Sequence, residues 1–206
     1  MANAENMEQV KQRICEVGRR MWQRGWVAAN DGNISARLDR RCVLVTPTGV
    51  SKGAMDPSMI CATDMDGRQI GGDGRHRPTC EVKMHLAIYR ARPDVHAVVH
   101  THSPHAVAFC ITRTSLPKNI YPEVEVLLGE VPLAEYARSS TDEVPRSIEP
   151  LITPQTRAIL LANHGPVTFG ESLDIAYNRM EVLEAYCHIV MLCRQVGRPV
   201  EVPPST

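Results

Sequence analysis

The sequence predicts a single-domain α/β fold in which helices flank one central sheet. Short β-branched runs alternate along the chain with segments of helical periodicity, and this alternation is typical of helices packed on a sheet. The 206 residues are enough for one substantial domain and require no second one. No internal repeat or low-complexity segment interrupts the pattern. We therefore expect residues 1–206 to form one domain around one core.

The first predicted elements are an amphipathic helix and a strand. Between Met7 and Val27 apolar residues recur at three- and four-residue steps, and Gly25 marks the end of this helix. The segment NDGNIS at 30–35 predicts a Gly and Asn turn. The run CVLVTPTG at 42–49 then predicts a strand that leads into a tight loop.

A second helix and a central strand follow. Residues 64–78 are rich in Gly and Asp and predict a loop, after which helical spacing predicts a helix whose first turn holds Glu81. HAVVHTH at 96–102 predicts a short strand. SPHAVAFC at 103–110 opens another helix with Ser103 as N-cap, because a proline follows in the first turn.

The rest of the chain predicts two strands and two helices. VPLAEY at 131–136 and RAILLANHG at 157–165 have strand character. Between them, Ser140 stands three residues before Glu143, a capping-box spacing that predicts a short helix. An apolar stripe from about 172 to 197 predicts a long C-terminal helix.

Charge and cysteine content narrow the possible functions. Lys plus Arg and Asp plus Glu both number 23, with the two signs interspersed. This balance provides no basic surface for nucleic acid, so a small-molecule substrate is the better expectation. The seven cysteines form no C-x-x-C pair and indicate reduced thiols. No stretch resembles a signal peptide or a membrane span of ~20 apolar residues, so we expect a cytoplasmic protein that does not bind membranes.

Three histidines are candidate metal ligands. Alternate side chains of a strand share a face, so His100 and His102 are expected to present two imidazoles together. A catalytic zinc-type site takes three protein ligands, and His164 is the best third candidate because an apolar strand breaks there into an Asn-His-Gly turn. His105 is expected on the following helix, outside the ligand set. An isolated H-x-H pair is more often structural than ligating, so the metal site is a hypothesis.

A carboxylate and several loop residues complete the candidate site. Glu81 is placed to act as a general base beside such a metal, or it interacts only with the helix dipole. Glycine turns, hydroxyl groups and a helix N-terminus are suited to a phosphate monoester. The residues of this kind are Gly32, Asn33, Thr48, Gly49, Thr79 and Cys80. Lys52 in the same loop would add positive charge, although a loop lysine is usually solvated.

The motifs GNIS, VTPTG, TCEVKMHLAIYRARPDVHAVVHTH, PLAEY and LLANHG occur in the order found in the class II aldolase/adducin superfamily. From about residue 7 to 195 the chain resembles this superfamily, and within it the L-fuculose-1-phosphate aldolases. The resemblance implies a largely antiparallel sheet flanked by helices and a homotetramer with active sites between subunits. It also implies a Zn²⁺ ion, or another divalent metal, held by His100, His102 and His164.

The resemblance further implies roles for the other residues. Glu81 matches the glutamate that handles the proton on the enediolate carbon, and Tyr121 matches a tyrosine that reaches in from the adjacent subunit to protonate the aldehyde oxygen. The three phosphate-binding pairs of the family match Gly32-Asn33, Thr48-Gly49 and Thr79-Cys80. Because Cys80 replaces a second serine, one phosphate contact becomes a weak S–H donor.

The reaction implied by this resemblance is retro-aldol cleavage of an L-fuculose 1-phosphate-like sugar phosphate to dihydroxyacetone phosphate and an aldehyde. The alternatives within the superfamily are an L-ribulose-5-phosphate 4-epimerase, which would call for Asp in place of Glu81, and a sugar-phosphate dehydratase or decarboxylase. A non-catalytic adducin-like scaffold is the alternative from a different class. Retention of three histidines and Glu81 argues against that scaffold.

Overall fold

The computed structural model describes residues 6–203 of the chain. The helices are α1 (Met7–Gln23), α2 (Val82–Ala91), α3 (Pro104–Thr112), α4 (Pro122–Leu127), α5 (Glu143–Ile148) and α6 (Leu173–Val196). The strands are β1 (Asn33–Arg37), β2 (Val43–Val45), β3 (Cys61–Thr63), β4 (Gln69–Gly71), β5 (Ala97–His100), β6 (Leu133–Ala134), β7 (Ala158–Leu161) and β8 (Pro166–Gly170). Short 3₁₀ turns span Lys52–Ala54, Pro57–Met59 and Glu149–Leu151.

The strands form one sheet in the order β4-β3-β2-β1-β5-β8-β7-β6. Neighbouring strands are antiparallel except for β6 and β7, which are parallel. The predicted α/β class with a largely antiparallel sheet flanked by helices is therefore confirmed. Strand β5 lies between β1 and β8, and its register with β1 sets Asn33 opposite His100.

Both faces of the sheet are covered by apolar side chains. Val99 of β5 packs in a cluster with residues of α1 and α6, whereas Val98 packs with α2 and α5 on the other face. Because side chains alternate along a strand, His100 lies on the same face as Val98. This face is the one that α2 covers, and α2 follows directly after Glu81.

The long elements match the predictions and the short ones differ. The C-terminal helix has Ser172 as its N-cap, and the Ser172 hydroxyl accepts a hydrogen bond from the Ile175 N–H. The predicted strands at 131–136 and 157–165 shrink to β6 and β7, because only these residues pair with neighbours.

Other local predictions were wrong. The NDGNIS segment is not all turn, since β1 begins at Asn33. The predicted capping box does not form: the N-cap of α5 is Asp142, and Ser140 has a φ of 63°. A left-handed residue cannot adopt the extended N-cap conformation. Strand β4 lies inside the predicted 64–78 loop, where a Gly-rich edge segment gives no strand signal. Strands β3 and β8 were not predicted.

All seven cysteines are free thiols, as predicted. Burial raises the pKa of Cys15 and Cys61 to about 11 and that of Cys110 to about 12. These three side chains are therefore protonated, unreactive thiols at neutral pH. No helix within residues 6–203 combines the length and the apolar character needed to cross a bilayer.

Candidate metal centre

His100 ends β5 at the middle of the sheet and is fully buried. Its Nδ1 lies 2.8 Å from the carbonyl oxygen of Pro166 on β8. Since a carbonyl only accepts, Nδ1 carries the ring proton and Nε2 keeps a free lone pair. Burial, and then the neighbouring imidazoles, lower the pKa of His100 well below its usual value. The ring is therefore neutral at physiological pH, and the lone pair of its Nε2 can bind a metal ion.

His102 lies two residues beyond the end of β5, so strand alternation does not explain its position as the sequence analysis assumed. Its backbone N–H instead donates to the carbonyl of Trp26 at 3.0 Å, which turns the chain. Its Nδ1 lies 3.5 Å from Oδ2 of Asp31, and its Nε2 lies 3.2 Å from Nε2 of His100. Nε2 of His100 and Nε2 of His102 therefore point toward a common position.

His164 occupies the turn between β7 and β8. The turn places Asn163 at a φ of 56°, and the His164 N–H donates to the Leu161 carbonyl at 3.1 Å. The next residue must be small: a Cβ on Gly165 would lie 2.4 Å from the carbonyl oxygen of Thr101. Gly165 therefore lets this turn approach the strand that carries His100.

The three imidazoles meet with their edges toward one another. The ring of His164 has centroid distances of 4.6 Å to His100 and 5.0 Å to His102. One ligand atom from each of the three residues lies within 4.8 Å of the others. Burial also lowers the pKa of His164, so it too favours the neutral form. Three imidazoles, with Nδ1 of His100 bonded to the Pro166 carbonyl and Nδ1 of His102 3.5 Å from Asp31, fit a divalent metal ion.

Glu81 is the N-cap of α2, just before the helix rather than within its first turn. Its carboxylate makes no capping hydrogen bond. Instead Oε2 lies 3.4 Å from Nε2 of His100, and Oε1 lies 3.2 Å from Nε2 of His164. The interpretation of Glu81 as only a helix-dipole partner therefore does not describe its contacts.

Two further side chains hold the Glu81 carboxylate. Asn33 Nδ2 donates to Oε2 at 2.8 Å, and the Ser139 hydroxyl donates to Oε1 at 3.3 Å. Ser139 also lies 3.2 Å from Nε2 of His164. Sequence reasoning missed Ser139 and Asp31, because neither stands in a motif that signals a contact with a distant histidine.

The predicted phosphate-binding residues lie on neighbouring loops. The N–H of Thr48 donates to the carbonyl of Arg77 at 2.9 Å, and the N–H of Thr79 donates to the carbonyl of Thr46 at 3.0 Å. These bonds join the loop after β2 to the segment before α2. Thr48, Gly49 and Cys80 are exposed, whereas Gly32, Asn33 and Thr79 are buried. The Ser140 hydroxyl contacts Sγ of Cys80 at 2.9 Å.

Lys52 is not the solvated loop residue that its position suggested. It is 1% exposed, and its Nζ donates to the carbonyls of Asn30 at 3.0 Å and Val50 at 2.7 Å. Burial lowers the pKa of Lys52 to about 8. The side chain therefore ties the loop before β1 to the loop after β2.

Two predicted residues lie apart from the histidine cluster. His105 bonds through Nδ1 to Glu184 at 2.7 Å and stacks on His188, which agrees with its expected place outside the ligand set. Tyr121 is exposed at the start of α4, and its ring packs against Tyr186 at a centroid distance of 6.4 Å. Among the side-chain hydrogen bonds of residues 6–203, none joins Tyr121 to the three histidines.

Comparison with known proteins gives a consistent result. A model of the class II aldolase and adducin N-terminal domain family matches residues 12–191. The 3-oxo-tetronate 4-phosphate decarboxylase of Escherichia coli (strain K12) is 34% identical over 197 residues, which cover 93% of this chain and 91% of that enzyme. The L-fuculose phosphate aldolase of Methanococcus vannielii is 36% identical over 183 residues, which cover 87% and 94%. The crystal structure of YgbL from Escherichia coli has a TM-score of 0.87 at 31% identity and covers 96% of this chain and 95% of that one.

Proposed function

Because the chain belongs to the class II aldolase and adducin family, we propose that it is a metal-dependent lyase that decarboxylates a 3-oxo sugar-acid phosphate. The observation that supports lyase chemistry is the cluster of three imidazoles with the Glu81 carboxylate beside it. Similarity to 3-oxo-tetronate 4-phosphate decarboxylases supports this substrate class ahead of the sugar 1-phosphate expected from the sequence. A retro-aldol reaction is the second candidate, supported by similarity to L-fuculose phosphate aldolases.

The metal site is proposed on His100, His102 and His164, with Zn²⁺ as the ion. Nitrogen ligands in a three-histidine set suit zinc and leave one position for substrate. When bound, the ion supplies a Lewis acid that stabilises negative charge on substrate oxygens.

The proposed reaction breaks the bond between the carboxylate carbon and C2 of the substrate. The electron pair of that bond moves toward the C3 carbonyl, CO₂ leaves, and an enediolate remains. A proton delivered to C2 then gives dihydroxyacetone phosphate. An aldolase that cleaves L-fuculose 1-phosphate forms the same enediolate by losing an aldehyde, so one set of residues is suited to either reaction.

Glu81 is proposed to hold and deliver that proton. Asn33 fixes one carboxylate oxygen, and Ser139 contacts the other on the side of His164. A proton on this carboxyl group passes to C2 of the enediolate, and solvent supplies the next proton after product leaves.

The substrate phosphate is proposed to bind the loops that carry Thr48-Gly49 and Thr79-Cys80. The exposed Gly49 has a φ of 73°, and a Cβ there would meet open space, so a ligand has room to approach the backbone. Binding by Gly32-Asn33 is proposed only for the backbone and for the second Nδ2 hydrogen of Asn33, since the first is donated to Glu81.

Tyr121 separates the two candidate reactions. Retro-aldol cleavage needs a proton donor for the aldehyde oxygen, and we propose that Tyr121 of a neighbouring subunit would supply it in the predicted homotetramer. Decarboxylation releases CO₂ and needs no such donor. The homotetramer and the cytoplasmic location stay predictions.

The test supplies the metal-loaded protein with 3-oxo-tetronate 4-phosphate and, separately, with L-fuculose 1-phosphate. We expect equal amounts of CO₂ and dihydroxyacetone phosphate from the first, above the rate without enzyme, and little product from the second. Dihydroxyacetone phosphate from L-fuculose 1-phosphate alone would favour the aldolase. Turnover of neither would contradict the substrate class.

A further inference from the structure

We propose that His85 is a positioning residue that orients Asn33, and through it Glu81, by means of a buried hydrogen-bond chain. The proposal rests on the function proposed for Glu81. This hydrogen-bond chain joins β1 to α2. Asn33 and Ser35 share one face of β1, and His85 lies one helical turn beyond Glu81 on α2.

The hydrogen bonds of this chain are short and shielded from water. His85 Nε2 lies 2.5 Å from Oδ1 of Asn33, and His85 Nδ1 lies 2.7 Å from the Ser35 hydroxyl. The Tyr89 hydroxyl lies 2.8 Å from the same Ser35 oxygen. Of these side chains Asn33 is the most exposed, at 3%.

The bonds have one consistent direction. Asn33 donates through Nδ2 to Oε2 of Glu81, so the remaining atom of its amide group, Oδ1, can only accept. His85 therefore carries its proton on Nε2, and its Nδ1 accepts from Ser35. Because the Ser35 proton is used toward His85, Tyr89 must donate to Ser35.

This direction excludes the flipped amide of Asn33. While His85 keeps its proton on Nε2, a flip would set Nδ2 against that N–H and Oδ1 against the Glu81 carboxylate, so both attractive bonds would be lost. Burial also lowers the pKa of His85 to about 4, which keeps the ring neutral at physiological pH. His85 thus holds the Asn33 N–H toward Oε2, the Glu81 oxygen that lies 3.4 Å from the His100 ring.

The sequence pattern places these groups by helical and strand periodicity. Glu81, His85 and Tyr89 stand four residues apart on α2, and Asn33 and Ser35 stand two apart on β1. Asn33 is also opposite His100 in the sheet register. The hydrogen-bond chain therefore begins at Tyr89 in the packed core and ends at the Glu81 carboxylate beside the histidine cluster.

The experiment compares His85→Ala, His85→Gln and Ser35→Ala with the wild type. Hydrogen-bond partners that orient metal ligands typically change activity or metal affinity by about 10- to 100-fold when removed, and His85 would orient Glu81 through Asn33 in a comparable way. We expect His85→Ala to lower kcat by about 10- to 100-fold with KM and metal content little changed. His85→Gln should restore most of kcat, because its amide can donate to Asn33 Oδ1. His96→Gln is the control, since His96 is an exposed histidine, and should behave as wild type.

A second readout does not depend on turnover. NMR of protein with ¹⁵N-labelled histidine should show His85 neutral and protonated on Nε2 at pH 7, and Ser35→Ala should admit the other tautomer. A proton on Nδ1 of His85 in the wild type would overturn the proposal, as would wild-type kcat in a folded His85→Ala protein. If His85→Ala does not fold, a folded His85→Gln with near-wild-type kcat together with the Nε2 tautomer supports the proposal, and loss of kcat in folded His85→Gln overturns it. Failure of the substrate test alone, with the predicted tautomer present, would contradict the proposed function and leave the hydrogen-bond chain intact.

Discussion

Acidification should destabilise the folded protein through His85, and the size of the effect follows from its burial. His85 is fully buried, and its pKa is lowered from 6.5 to about 4 in the folded state. Below pH 6.5 the unfolded chain binds a proton that the folded chain excludes, so the stability present above pH 6.5 is lost as the pH falls toward 4.

The loss between pH 7 and pH 5 can be worked out from this shift. Over about 1.5 pH units the unfolded chain alone holds the proton, and each unit corresponds to about 1.4 kcal/mol. His85 should therefore contribute a loss of about 2 kcal/mol in the free energy of unfolding. His100 and His164 also lower the free energy of unfolding as the pH falls. A variant at position 85 keeps both histidines, so their contribution is the same in the variant and the wild type.

The assay is urea unfolding of wild type and His85→Gln at pH 7 and pH 5, with a chelator present so that metal release does not contribute. A glutamine does not titrate, so the pH-dependent loss should be smaller in the variant by about 2 kcal/mol. His96→Gln should keep the wild-type pH dependence. An identical loss in wild type and His85→Gln would refute the reasoning, because it would mean that His85 is protonated equally in both states.

Three further predictions concern the site. His100→Ala should reduce the bound divalent metal from about one ion per chain to near zero, measured by plasma mass spectrometry, because one of three ligands is lost; full metal content would contradict the ligand assignment. Gly165→Ala should weaken metal affinity in a chelator competition by about 10- to 100-fold, the range seen when the contacts that orient ligands are lost, because its Cβ would lie 2.4 Å from the Thr101 carbonyl oxygen beside two ligand rings; unchanged affinity would contradict the role given to Gly165 in placing His164. Tyr121→Phe should leave CO₂ release unchanged within about twofold, and a large loss would favour the aldolase reaction.

The sequence was enough to predict the long elements and the histidines. Helix α6 is long and begins after the N-cap Ser172, so the sequence located it over about 172–197. Strands β3 and β4 have three residues each, too few to show alternation. Their place in the sheet is set by pairing with β2 and with each other, which no local pattern reveals.

The sequence predicted that His100, His102 and His164 come together, but it did not predict the hydrogen bonds around them. His102 was identified by an incorrect reason, since it lies beyond the strand and is turned by a bond to Trp26. Asn33 was assigned to phosphate binding because it lies in a predicted loop. Its side chain hydrogen-bonds to Glu81 and His85, which lie 48 and 52 positions further along the sequence. These contacts depend on how α2 packs on β1, and the local sequence pattern of neither segment predicts that packing.

The most direct test of the account is the rate of CO₂ release from 3-oxo-tetronate 4-phosphate by metal-loaded protein, metal-depleted protein and metal-loaded Glu81→Gln. We predict release that stops on metal depletion, returns when Zn²⁺ is added, and falls by about 10²- to 10⁴-fold in Glu81→Gln. Metal-independent release, or a Glu81→Gln variant as fast as wild type, would contradict it.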